Sequence, residues 1–126
     1  MAIPPEPIDS VLFDAKAVVV AEVVAVTETG PALPKVERKK GHTDVGNKEP
    51  WQTLTLKVSS VLMSGLDVRA GATVSVKKPE GDYTLVTGNQ GDFLLGTDID
   101  GLVILGRYGP DSYRHDVVVA ALARRR

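Results

Sequence analysis

The run AKAVVVAEVVAVTE, Ala15 to Glu28, constrains this chain more than any other. β-Branched side chains lose rotamer freedom against a helical turn and pack well on a pleated surface, so this density of valine predicts a long extended strand. Glu22 interrupts the run and sets one face toward solvent. Its length predicts a strand that bends or changes partners, with Val18, Val20 and Val24 expected inward. A second strand follows from WQTLTLKVSSVLMSG, where Leu54, Leu56 and Val58 alternate with Thr53, Thr55, Lys57 and Ser59, the pattern of a half-buried strand.

Shorter extended pieces complete the pattern. ATVSVKK supplies one through Val74 and Val76, and Pro79-Glu80-Gly81-Asp82 reads as a tight turn. YTLV, Tyr83 to Val86, is expected as a fourth piece, broken by Gly88-Asn89-Gln90-Gly91 and resumed by DFLLG. After the turn Thr97 to Gly101, LVILG is the fifth. Phe93, Leu95, Val103 and Leu105 join the expected core with Val74 and Val76.

Helices are expected only at the two ends. Ile8 to Ala15 gives one or two turns with Asp9 or Ser10 as N-cap. SYRHDVVVAALARRR gives a longer helix with Asp111 or Ser112 as cap, acidic Asp116 early and arginines late, an arrangement that suits the helix macrodipole. Strands spaced by turn residues without alternating helices exclude a parallel α/β sheet. The expected fold is mainly β: a five-stranded barrel with a short N-terminal helix and a C-terminal helix, one domain over residues 8–126. Within it, Thr29 to Pro50 lacks periodicity and is rich in proline, glycine and charge, which predicts a long mobile loop.

Composition limits the chemistry. Cysteine is absent, which removes disulfides, thiolate metal sites and cysteine nucleophiles. A net charge of −1 gives no overall field favouring nucleic acid or an anionic membrane. MAIPPEPID has no basic stretch leading into an apolar one, so it does not read as a signal peptide, and the apolar run Ala17 to Val26 is far short of the ~20 residues of a membrane span. The compartment stays open, since an exported domain with its leader removed would look the same.

FDAKAVVVAEVVAV, TLTLKVSSVLMSGLDVRAGATVSV and LVTGNQGDFLLG together resemble the netrin-like modules related to tissue inhibitors of metalloproteinases, including bacterial relatives. Val61-Leu62-Met63-Ser64-Gly65 stands where those modules turn, and Gly91-Asp92-Phe93-Leu94-Leu95 where their late strand lies, so the likeness runs from Asp9 to Gly106. It implies an OB-like barrel flanked by two helices that serves as an inhibitor-like or adaptor-like module for a protein partner. The inhibitors engage zinc through an N-terminal cysteine, and this chain has none. That inhibitory chemistry is not expected here.

Candidate sites concentrate in LGRYGPDSYRHD, Leu105 to Asp116, which holds two of the three tyrosines. As a binding surface it offers Arg107, Tyr108, Tyr113 and Arg114, types that dominate binding energetics. As a strand-to-helix corner it offers Gly109-Pro110 to end the strand and tyrosines to pack the junction, which is the simpler reading. These four residues and Trp51, beside the long loop, are the expected partner contacts.

His42 with Asp44, and His115 with Asp111 and Asp116, do not make a metal-ligand motif, and GTDIDG lacks the twelfth-position glutamate of a calcium loop and reads as a hairpin turn. No nucleophile elbow, zinc-protease or phosphate-loop motif is present. A serine hydrolase would have only His42 or His115 as its base. The expected function is therefore a non-catalytic protein-binding module without cofactor or metal. A single-strand nucleic-acid binder is the alternative, favoured by Lys35 to Lys40, Lys77-Lys78 and the terminal arginines, opposed by few aromatics.

Overall fold

The computed structural model describes residues 4–30 and 49–125. Helix α1 (Ile8–Asp14) leads into β1 (Ala17–Thr29); β2 (Gln52–Ser64), β3 (Thr73–Lys78), β4 (Gln90–Asp98) and β5 (Gly101–Leu105) follow. A 3₁₀ turn (Gly109–Asp111) then precedes α2 (His115–Arg124). The strands close into a barrel in the order β1-β2-β3-β5-β4. All neighbours are antiparallel except β3 and β5, which meet in parallel at Lys77 and Val103. No helix among the described residues is long and apolar enough to cross a membrane. Most of the stretch expected to be a mobile loop, residues 31–48, lies outside the described residues.

β1 changes partners as its length requires. Ala17 to Glu22 pairs with both β2 and β4, and beyond Glu22 strand pairing continues with β2 alone. Four register shifts along the β1–β2 ladder bend the strand around the barrel.

The inward parity of β1 is the reverse of that expected. Ala17, Val19, Ala21 and Val23 face the barrel interior with Leu54, Leu56, Val58, Val76, Phe93, Leu95 and Ile104. Val18 is also buried, but beneath the helices, with Leu12, Leu94, Val118 and Ala121. Val20 is half-buried on the outer face, and Val24 is exposed. The same parity error touches β5, where Ile104 fills the interior, Val103 is only half-buried and Leu105 packs on the helix layer. Two apolar layers share β1 and β4, so valines on opposite faces are both satisfied.

Tyr83 to Val86 is not a strand. Its backbone is held by side chains: the Gln52 amide donates to the Leu85 carbonyl at 2.8 Å and its oxygen accepts from the Leu85 N–H at 2.9 Å. Asn89 Oδ1 accepts from the Val86 N–H at 2.8 Å. A buried glutamine thus does the work of a missing strand neighbour. The caps differ as well: α1 is preceded by Pro7, and α2 begins at His115, beyond the expected caps Asp111 and Ser112, which belong to the 3₁₀ turn and its end.

Lys78 ends β3 pointing inward and is fully buried. Its ammonium donates to the carbonyls of Pro79 at 3.0 Å and Tyr83 at 2.7 Å, and lies 4.9 Å from the centre of the Tyr83 ring. Burial pushes this ammonium below the usual lysine range, against the opposing pull of Glu49 and Glu80. Lys78 is thus a polar plug across one end of the barrel, not part of a solvated basic stretch.

Candidate functional site

The corner after β5 is organised from within. Gly106 and Gly109 adopt positive φ of 94° and 60°, conformations open to glycine at little cost. A Cβ on Gly109 would stand 2.5 Å from the Tyr83 ring. Ser112 Oγ accepts from the Tyr108 N–H at 3.0 Å, so its hydroxyl ties the corner together instead of capping α2. Tyr113 donates its hydroxyl to the Glu6 carbonyl and packs in the helix layer. Arg107 Nε lies 2.9 Å from Asp82 Oδ2, and its guanidinium carbon 6.0 Å from the Tyr108 ring centre. Arg114 is exposed and grips Asp116 through Nε at 3.2 Å and Nη2 at 2.6 Å, a hydrogen-bonded pairing that holds the Asp116 carboxyl below its ordinary range.

Trp51 occupies another part of the surface. The Gly30 N–H donates to its carbonyl at 2.8 Å, and a Cβ on Gly30 would lie 1.9 Å from the indole nitrogen, so the ring needs glycine there. A groove of about 330 Å³ runs past Trp51 between Glu28, Thr53, Ser75, Lys77, Asp100 and Leu102. Lys77 Nζ lies 3.6 Å from Asp100 Oδ2, and Asp98 Oδ1 accepts from the Asp100 N–H at 2.8 Å, fixing the expected hairpin turn between β4 and β5. Ile99 at its tip is 100% exposed. Arg107 lies in a different groove, with Glu6, Glu80, Asp82 and Tyr83, which shares no lining residue with the groove of Trp51. Trp51 and Arg107 therefore line separate grooves, whereas Arg107 and Tyr108 stay together in the corner.

A wide concavity of about 760 Å³ lies on the outer face of β4, β1 and β2, where Val20, Glu22, Lys57, Ser60, Gln90 and Asp92 line it beside His115 from the start of α2. His115 Nδ1 is 2.7 Å from Asp92 Oδ2; the imidazole is 60% exposed and the carboxylate 6%. Asp111, expected to share a helix face with His115, lies in the 3₁₀ turn instead. Sequence reasoning did not pair Asp92 with His115, since the contact joins a strand to a helix 23 residues away. One signal was available: an aspartate directly before the apolar run FLL must either be solvated or find a partner.

Among the described residues no group of three or more histidine, aspartate or glutamate side chains is placed to hold a metal ion. No protein-family model, curated protein or solved structure matches the chain.

Proposed function

We propose that this protein is a binding module for a protein partner, contacted through the turn between β4 and β5 and the groove of Trp51. The observation that carries the reading is Ile99, a branched apolar side chain wholly exposed on a turn that Asp98 and the Lys77–Asp100 pair hold in shape. A preordered apolar knob beside a slot walled by an aromatic ring fits the pattern of interface anchors, which cost little entropy to bury. The closed barrel with a helix at each end suits the netrin-like, OB-type arrangement that the sequence resemblance implies, a family of interaction modules.

Single-strand binding is less well served by the same face. In-register pairs on β2 and β3 present Thr53 beside Lys77, Thr55 beside Ser75 and Lys57 beside Thr73, and Trp51 is the single aromatic residue lining the groove, short of the several rings on which successive bases stack. Lys77 is already paired with Asp100.

The test is a pull-down from the native host at ordinary ionic strength, followed by affinity measurement on the recovered partner. Ile99→Asp is expected to weaken that complex at least tenfold, because it places a charge in a desolvated contact, while the melting temperature stays unchanged. Full retention of every captured partner by a folded Ile99→Asp/Trp51→Ala protein rejects the reading. Oligonucleotide affinity that falls steeply with salt would favour the alternative.

A further inference from the structure

We infer that the groove on the outer face of β4, β1 and β2 is an ester-hydrolysing site, with Ser60 as nucleophile, His115 as general base and Asp92 as the residue that positions it. This stands apart from the partner-binding face. Register brings the parts together. Val20 pairs with Asp92 on one side and with Ser60 on the other, so the three form one rung across three strands. Paired residues share a face, and Val20, Asp92 and Ser60 all line the groove with His115. Two strand spacings set Asp92 and Ser60 about 10 Å apart, a gap that one imidazole and its hydrogen bonds can span.

The buried carboxylate determines what the imidazole offers. A carboxylate only accepts, so at 2.7 Å Nδ1–H keeps its proton and donates a hydrogen bond to Asp92 Oδ2. Neutral His115 then carries its free lone pair on Nε2, the tautomer a general base requires. Nε2 has no hydrogen-bond partner among the described residues, and the exposed ring leaves it open to the groove. Ser59 is not the nucleophile, because its hydroxyl donates to the Val20 carbonyl at 2.9 Å. Ser60, next along the bulged strand, makes no such bond. Val20, half-buried on the outer face, gives the groove an apolar wall, which suits the acyl chain of a small carboxylic ester.

In the first half-reaction Nε2 accepts the Ser60 hydroxyl proton as Oγ bonds to the ester carbonyl carbon. The imidazolium returns that proton to the departing alkoxide oxygen, releasing the alcohol and leaving acyl-Ser60. Water then attacks with its proton taken by Nε2, and the proton passes to Ser60 Oγ as the acid is released.

An alkyl fluorophosphonate tests this directly, since Oγ displaces its fluoride to leave a stable adduct. Intact mass and peptide mapping of the treated full chain are expected to show one adduct, on Ser60. Ser60→Ala should abolish it, and His115→Gln and Asp92→Asn should slow labelling roughly 100-fold, the scale of general-base assistance. Thermal melts run in parallel separate catalysis from clamping. His115 is exposed, so His115→Gln should stay folded and lose labelling. A His115→Gln protein that melts lower yet labels at the wild-type rate makes the pair a clamp of α2 on β4 and overturns the proposal, as does the lack of an adduct on Ser60.

Discussion

β1 has two buried sides that differ in kind. Inside the barrel, Val19, Ala21 and Val23 meet side chains from β2, β3, β4 and β5, enclosed by the ring of strands. Outside, Val18 meets α1 and α2, two short helices laid over one end of the sheet. Where the helices cover the strand the sequence is continuously apolar, Ala17-Val18-Val19; where they do not, Glu22 and Val24 alternate with buried Ala21 and Val23. The valine run is thus a record of double coverage, and alternation begins where coverage ends.

If the closed interior is the more demanding of the two, truncation should separate them. Leu56→Ala, at a fully buried interior position, is expected to cost about 2–5 kcal/mol, because the barrel wall has little room to collapse into the cavity. Val118→Ala, equally buried beneath the helices, should cost only about 1 kcal/mol: two carbons of burial are lost, and alanine recovers part of that through helix propensity. Denaturant titration of both variants breaks the comparison if the losses are equal, since the two layers would then behave as one core.

A change of comparable size to the second but of opposite sign concerns the rim of the interior. The Tyr83 hydroxyl is buried without a hydrogen-bond partner among the described residues, and burial pushes it above its ordinary range. Tyr83→Phe should therefore stabilise the protein by about 1 kcal/mol at neutral pH. A raised folded value means the wild type keeps this group's full contribution below pH ~10, the unfolded value, and loses stability as pH rises beyond it. In Tyr83→Phe that component of the alkaline loss should vanish, which thermal melts from pH 8 to 11 would show.

What the sequence made legible follows the same division. β2 could be read with its parity, because threonines and a lysine mark its wet face against Leu54, Leu56 and Val58. The turn at Asp98 to Asp100 was equally plain. β1 could be read as a strand but not phased, since valine stands on both faces and only the helices decide which valines go under cover. Tyr83 to Val86 looked extended because its residues favour strands, yet the neighbour that satisfies its backbone is the side chain of Gln52. Lys78 read as half of a basic pair because nothing local shows that β3 turns its last residue inward. The pairing of Asp92 with His115 depends on α2 starting after the 3₁₀ turn, over the end of β4, and no pattern within either segment encodes that position.

The barrel closes unevenly. β1 and β2 run together for 13 residues each, whereas the parallel joint of β3 with β5 rests on one register pair, Lys77 with Val103. Closing the ring at this joint also requires β1 to meet β4, where Ala17 pairs with Leu95 from far along the chain, a topology associated with slow folding. The same joint is the place for sub-global opening in the native state. Amide protons along β5 are expected to exchange ahead of those in the paired centre of β1 and β2, with the molecule breathing as an opening ring hinged on its longest hairpin.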